Sequence, residues 1–471
     1  MRDVTVRDVH AVVGGRLRLA SLEPRHGEAA PLGRIVIDSR QVRPGDVFWG
    51  LAGTRADGAD FAADAYARGA SGAVVARYVQ PAPGCWSLEV GDALQALEHL
   101  AAWNRRRLAG RVVAVTGSVG KTTARQMISA VLGSQMCGST SPKNFNNHLG
   151  VPLSMLAIEP QHDFAVLELA ASAAGQIARL AALARPQVGV ITRVGDAHLG
   201  SFGSLEGVVD AKAELVGMLP AEGCAVLYGD DTRLRKAVVG AQRSAAQACQ
   251  TLWFGRSLDN DLVATNVECR AGVLRFAVDG QVFSVRAWGR HHLPGALAAL
   301  AVGRVFGLGD AEIAVGLAQF QPPPMRCQIR SIGGATIIDD TYNASPVAMR
   351  AALELLRDFD APGRRIVVCG DMRELGAAAN DLHRTLGDEV VTVCGADLLI
   401  ACGSHARDVV DGAHAAGMPR GHAVACQEPQ EMLARREAIL RPGDVVLVKG
   451  SRAMAMEQLV AALETRSLQP R

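Results

Sequence analysis

The stretch TGSVGKTT (116–123) sets a lysine and two threonines behind a glycine-rich turn. Such a turn, placed between a strand and a helix, aims backbone N–H groups and the helix dipole at an anion. Lys121 would bring mobile positive charge to terminal phosphates, and Thr122 would offer a hydroxyl to Mg²⁺. The common pattern G-x-x-x-x-G-K-[ST] is missed by one residue, because Val115 stands five before Gly120. The stretch is therefore either an ordinary strand–helix turn or a shortened phosphate loop made of Gly117, Ser118, Val119, Gly120, Lys121, Thr122 and Thr123. The position of GKTT at the expected strand-to-helix switch favours the phosphate reading.

Other reactive side chains follow at strand ends. Glu168 closes the apolar run FAVLEL (164–169), and His198 lies in VGDAHLGSFGS (194–204) after another. Ligands of α/β sheets bind at the carboxyl ends of strands, so both residues are candidates to face the loop. Mg²⁺ prefers oxygen, so Glu168 and Thr122 suit it better than His198, which taken singly reads better as a plain loop histidine than as a ligand. Lys212, in VVDAKAEL (208–215), falls at the edge of a helical apolar stripe and reads as a solvated lysine. In DDTYNASP (339–346), Asp340 could meet a ribose hydroxyl, and Arg326 nearby could grip a γ-phosphate. The same residue types also build capping turns, and that reading stays open.

The elements that must position these residues are legible. Strands are predicted at RVVAVTG (111–117), FAVLEL (164–169), VGVIT (188–192) and CAVLYG (224–229), and helices at 94–108 and 124–132. A third block has strands at ATIIDD (335–340), RIVVCGD (365–371), LLIACG (398–403) and DVVLVKG (444–450). The prolines of FQPPPM (320–325) suit a linker between these blocks. The expectation is an α/β protein of three domains: residues 1–107, a central P-loop ATPase-like parallel-sheet domain over 108–321, and a C-terminal Rossmann-like domain over 322–471.

Composition narrows the function classes. Forty-nine basic and 47 acidic residues leave a formal net charge of +2, which gives no reason to expect a nucleic-acid partner. No uninterrupted apolar run approaches a membrane span, and MRDVTVRDVH lacks the apolar core of a signal peptide. Ten scattered cysteines without a C-x-x-C pair argue against a zinc ribbon and suit buried thiols in a reducing cytoplasm. No nucleophile–base constellation stands out, which fits chemistry done by positioning and charge neutralisation around ATP.

These motifs in this order resemble the Mur ligase family, in its D-alanyl-D-alanine-adding branch, over nearly the whole chain. IDSRQVRPGDVFWGLAGTRADGADF (37–61), TGSVGKTT, NFNNHLGVPLSML (144–156), AHLGSFGS, DAKAE, IIDDTYNASP, GDMRELG (370–376) and KGSRAMAMEQLV (449–460) carry the likeness. The resemblance implies ligation of an amine to a carboxylate through an acyl phosphate. The substrates implied are ATP, a UDP-N-acetylmuramoyl tripeptide and D-alanyl-D-alanine, handled by a cytoplasmic monomer. It further implies two Mg²⁺ ions, one held by a carbamylated Lys212, with Thr122, Glu168 and His198 at the metal sites and Lys121, Lys212 and His198 catalytic. His291, Arg326, Asp340 and Asn343 correspond to positions around the nucleotide. Asp38, Ser39 and Arg40 correspond to the uridine-diphosphate end, and Asn144, Asn146 and Asn147 to a further substrate segment. Arg373, Glu374, Lys449, Ser451 and Arg452 correspond to the site of the incoming amine. The chain departs from the family at Ala170 and Ser172, at Arg193, and in HHLPGALA (291–298), where Gly295 stands in place of an adenine-facing asparagine. Loss of one such amide contact lowers binding by about 1–3 kcal/mol.

Overall fold

The computed structural model describes residues 3–20, 28–196, 199–244, 248–428, 431 and 440–467. The chain divides into two compact units, the first comprising 1–114, 136–170 and 178–188, the second 115–135, 171–177 and 189–471.

The first unit contains a five-stranded sheet ordered Arg16–Leu19, Trp86–Glu89, Gly72–Val75, Val47–Gly50, Ile35–Val36. All its pairings are parallel except that of the edge strand Arg16–Leu19. Its middle strands, VFWG and GAVV, are buried on both faces, as continuous apolar runs in parallel sheets must be. The helix Ala93–Arg107 follows, capped by Asp92 on the N–H groups of Leu94 and Gln95. This unit also holds Phe164–Glu168 beside Gly138–Thr140, in parallel.

The second unit begins within the strand Arg111–Thr116, which leads through the glycine turn into the helix Lys121–Gly133. Its strands run in the order Leu262–Val263, Gln250–Gly255, Cys224–Tyr228, Val188–Ile191, Arg111–Thr116. A separate antiparallel sheet of Thr265–Arg270, Val273–Val278 and Gln281–Arg286 interrupts the alternation of strands and helices. A six-stranded sheet follows, ordered Gln328–Ile332, Ala335–Asp340, Val445–Lys449, Arg365–Gly370, Leu398–Cys402, Ala423–Cys426. Only its Gln328–Ile332 edge is antiparallel, so the doubly wound expectation holds. Apolar clusters cover both faces of this sheet, one centred on Leu353, Val367 and Leu447, the other on Ile337, Val368 and Val446.

All ten cysteines are free and seven are buried. Among the described residues no helix is long and apolar enough to cross a membrane.

Candidate active site

The glycines of the loop are demanded by its path. A Cβ on Gly117 would lie 2.1 Å from Thr192 Oγ1, and Gly120 caps the following helix in the left-handed region at φ 86°. Thr192 ties the turn down by donating to the carbonyls of Val119 and Thr116. Position 115 is a buried strand valine, so the turn proper starts two residues later than in the longer pattern. Two donors expected to meet an anion are engaged, because Ser118 N and Val119 N both donate to the Arg193 carbonyl at 3.0 and 3.2 Å. Lys121 folds back over the turn, its Nζ donating to the carbonyls of Gly117 and Ser118 at 2.8 and 3.3 Å. A phosphate would compete for that ammonium with neutral carbonyls, and a full anionic charge wins such a contest.

Lys212 corrects the sequence expectation of a solvated helix lysine. It is 3% exposed, with Nζ 3.4 Å from the Ala171 carbonyl and 5.2 Å from the centre of the Phe202 ring. Burial pushes its ammonium down to about 7; the charge of Lys121 pushes the same way and Glu214 opposes. Helical periodicity misjudged it because the neighbourhood is closed by Phe202 and the Ala171 segment, which sequence spacing does not place there.

Arg326 reaches Thr122, its Nη2 donating to Oγ1 at 3.2 Å, with the guanidinium stacked 4.1 Å over the Tyr342 ring. Contacts that sequence reasoning assigned to blocks on either side of the prolines therefore already meet. The flanking Met325 and Cys327 adopt φ 60° and 49°, strained values for residues bearing a Cβ.

Asp340 and Asn343 come together with Lys449. The Lys449 ammonium sits 2.5 Å from Asp340 Oδ2 and 2.7 Å from the Asn343 carbonyl, and Cys327 N donates to Asp340 Oδ1. Lys449 thus groups with residues assigned to the nucleotide rather than with the others assigned to the amine. Arg373 N donates to Ser451 Oγ at 2.8 Å, so GDMRELG and KGSR do adjoin, while Arg452 turns away to pair with Glu457. The buried His383 accepts from Met372 N at 2.9 Å and holds that loop; its place twelve residues after Asp371 was the available signal. The carbonyl of Glu374, a residue at φ 67°, accepts from Gly200 N in the segment after His198. His198 itself lies outside the described residues.

Gly295 packs within a helix pair. A Cβ there would stand 3.3 Å from Met127 Sδ and 3.5 Å from Ala124 Cα, on the helix that follows the phosphate loop. His291, two residues before that helix, is pushed down to about 4 by burial, with Lys449 and Arg193 adding to the effect. Arg193 and Gly195 line a cavity of about 350 Å³ with Tyr228, Asp231, Arg233 and Val347.

In the first unit, Asn146 Nδ2 donates to Glu168 Oε1 at 2.8 Å, and Glu168 N is held by Ser141 Oγ. This gives a buried carboxylate a fixed direction. Asn147 Oδ1 accepts from Leu149 N and Gly150 N, a capping role, and Asn144 is exposed. Ala170 N donates to the Asn146 carbonyl; in the second unit, exposed Ser172 N donates to Gln176 Oε1. Asp38 caps the turn Ser39–Gln41 and takes a two-pronged bond from Arg40 at 2.9 and 2.8 Å. That bond, ahead of all other causes, holds the Asp38 carboxyl down at about 2.

Comparison with known proteins accounts for this assembly. Family profiles match as "Mur ligase family, catalytic domain" over 32–96, "Mur ligase middle domain" over 115–303, and "Mur ligase, glutamate ligase domain" over 325–452. The UDP-N-acetylmuramoyl-tripeptide–D-alanyl-D-alanine ligase of Bacillus subtilis (strain 168) is 33% identical over 463 residues, covering 98% of each chain. A crystal structure of MurF from Acinetobacter baumannii superposes with a TM-score of 0.85 at 30% identity, over 98% of each chain. The MurF ligase of Thermotoga maritima in complex with ADP superposes with a TM-score of 0.77 at 31% identity, over 92% of this chain and 98% of that one. This chain belongs to the Mur ligase family.

Proposed function

We propose that this chain is an ATP-dependent ligase that joins D-alanyl-D-alanine to a UDP-N-acetylmuramoyl tripeptide in the cytoplasm, for peptidoglycan synthesis. The observation that carries the reading is the buried Lys212, whose amine is half-neutral near pH 7 beside the charge of Lys121. A neutral amine can attack CO₂, releasing one proton and leaving a carbamate. That exchange replaces a buried cation by an anionic group with two hard oxygens, the donor type Mg²⁺ prefers. The Thr122 hydroxyl, accepting from Arg326, supplies another oxygen of the same class. When bound, Mg²⁺ would neutralise phosphate charge.

The protein's own part is to bind and orient. Lys121 leaves the carbonyls of Gly117 and Ser118 for the phosphates, and Arg326, held flat on Tyr342, meets the γ-phosphate. The peptidyl carboxylate attacks that phosphorus and ADP leaves. The dipeptide amine then attacks the acyl phosphate, forming the amide and expelling phosphate. Asp38 with Arg40, and the Asn146–Glu168 pair, are assigned to the uridine substrate and metal on the first unit. Arg373 and Ser451 are assigned to the amine on the second. The functional division is taken as 1–107, 108–321 and 322–471, and the chain as a monomer.

The test is ADP release by the purified protein with Mg²⁺, the tripeptide precursor and D-alanyl-D-alanine. Release is expected only when all are present. Turnover with another carboxylate and amine alone would reassign the substrates, and silence with every pair would make the chain a non-catalytic binder.

A further inference from the structure

We infer that His291, His292 and Cys327 form a site for a thiophilic dication such as Zn²⁺, one that staples the segment after the proline linker to the helix beginning at Leu293. The ligand atoms of these three side chains all lie within 4.8 Å of one another. His291 Nε2 stands 3.5 Å from Cys327 Sγ. Bond lengths of about 2.0 Å to nitrogen and 2.3 Å to sulfur, at a tetrahedral angle, place the two donors about 3.5 Å apart. The thiol–imidazole contact already has this spacing. The two imidazoles lie with ring centres 4.1 Å apart, tilted by 42°.

The surroundings select the ion. Asp340, Lys449 and Arg326 all place charge near Cys327, and the Asp340 carboxylate is shared between Lys449 and the Cys327 N–H. A hard cation such as Mg²⁺ gains little from two imidazole nitrogens and a sulfur. A soft ion gains a thiolate: Cys327 loses its proton to solvent, the sulfur–metal bond forms, and the resulting negative charge offsets one of the two arriving positive charges. Three protein donors are one short of a closed four-ligand site, so the ion is held less tightly than in such a site.

The consequence follows from where the site lies. Cys327 directly follows Arg326, and the strained backbone on both sides of that arginine sets its aim at Thr122. An ion drawing Cys327 and His291 together fixes that segment in one arrangement and occupies a histidine assigned to the nucleotide. Zn²⁺ therefore opposes turnover even when Mg²⁺ is in excess. The binding claim is independent of the proposed ligase activity; only the inhibition rests on it.

Co²⁺ titrated into the full-length reduced protein tests binding directly. A thiolate-to-cobalt absorption band in the near ultraviolet, with the intense visible bands of a tetrahedral ion, is expected at one equivalent and bleached by Zn²⁺. Cys327→Ser and His292→Asn should each lose the site, weakening binding at least about tenfold. Equal spectra in the wild type and both variants would assign the band to another thiol, such as the exposed Cys137, and overturn the proposal, as would no band at all. Should a variant fold poorly, loss of the Co²⁺ signal on adding a non-hydrolysable ATP analogue to the wild type is the second expected result, and an unchanged signal contradicts the placement. Under Zn²⁺ the wild-type rate should fall about tenfold and that of Cys327→Ser by less than about twofold. If the band is found but no activity exists to inhibit, the metal site stands and the ligase reading falls.

Discussion

The phosphate-loop region and the Asp38–Arg40 turn both use paired or opposed charges, but in opposite environments. Around the loop, Lys212 is buried beside the charge of Lys121, and its own charge is half lost near neutrality. At the turn, Asp38 and Arg40 neutralise each other at the surface, with the Arg40 side chain 80% exposed. Burying a lysine without a carboxylate partner is costly, and a strongly shifted pKa marks a candidate functional residue. An exposed ion pair contributes little to stability, because water screens it.

The largest effect that can break this comparison is at Lys212. Lys212→Ala should lower ADP release by about 10³-fold or more if the residue acts on charge developing at the phosphate, and excess bicarbonate should not restore it. Survival of activity in a direct ADP assay would end the carbamate assignment. The same site carries a stability signature of opposite sign. Its folded pKa of about 7 lies below the unfolded 10.5, so the unfolded state binds more protons between these values and stability rises with pH across that window. Lys212→Met should therefore raise the melting temperature at pH 6–7 while abolishing turnover. A shift of that size sets a ceiling of about 5 kcal/mol, and the gain should shrink toward pH 10. Thermal melts across pH check the trend, and a variant less stable at pH 6 than at pH 9 relative to wild type would contradict it.

Next comes Lys121→Ala, expected to slow turnover by about 10²–10³-fold through lost charge at the transferring phosphate. Arg326→Lys should cost about 10–100-fold, since a lysine keeps the charge but neither stacks on Tyr342 nor bonds in two prongs. Steady-state kinetics with ATP varied would show whether the loss lies in kcat, as expected, or in KM. Gly295→Asn is a smaller, favourable change: a restored amide should lower KM for ATP by about fivefold, or about 1 kcal/mol. A Cβ there would lie 3.3 Å from Met127 Sδ and 3.5 and 3.6 Å from the Ala124 backbone, so Met127 is the neighbour that must give way. An unchanged KM would mean position 295 serves helix packing alone. The smallest effect belongs to the turn. Asp38→Asn should raise KM for the uridine substrate a few-fold and leave the melting temperature nearly unchanged. Asp38 is held down at about 2, so its charge is lost only as pH falls below about 4 toward that value, and substrate KM should be flat from pH 5 to 9.

Most elements were readable because their local signals agree with the fold. The strand at 335–340 and the helix at 94–108 follow from their apolar patterns, and the structure places them at Ala335–Asp340 and Ala93–Arg107. The antiparallel sheet at 265–286 escaped notice, although Asp279–Gly280, at φ 52° and 79°, is a strong hairpin turn between two alternating runs. Lys212 was misread for a different reason: helical spacing reports which face a residue is on, not what packs over that face.

The sequence by itself determined the phosphate turn, the doubly wound last block and the family, because each rests on residue types at short, fixed separations. Only the tertiary structure decided the state of the chemistry. It closed Phe202 and the Ala171 segment over Lys212, spent two loop donors on the Arg193 carbonyl, and grouped Lys449 with Asp340. It also set Cys327 against His291, 36 residues away in the chain. Protonation and donor availability depend on burial and on neighbours remote in the chain, and local spacing carries neither.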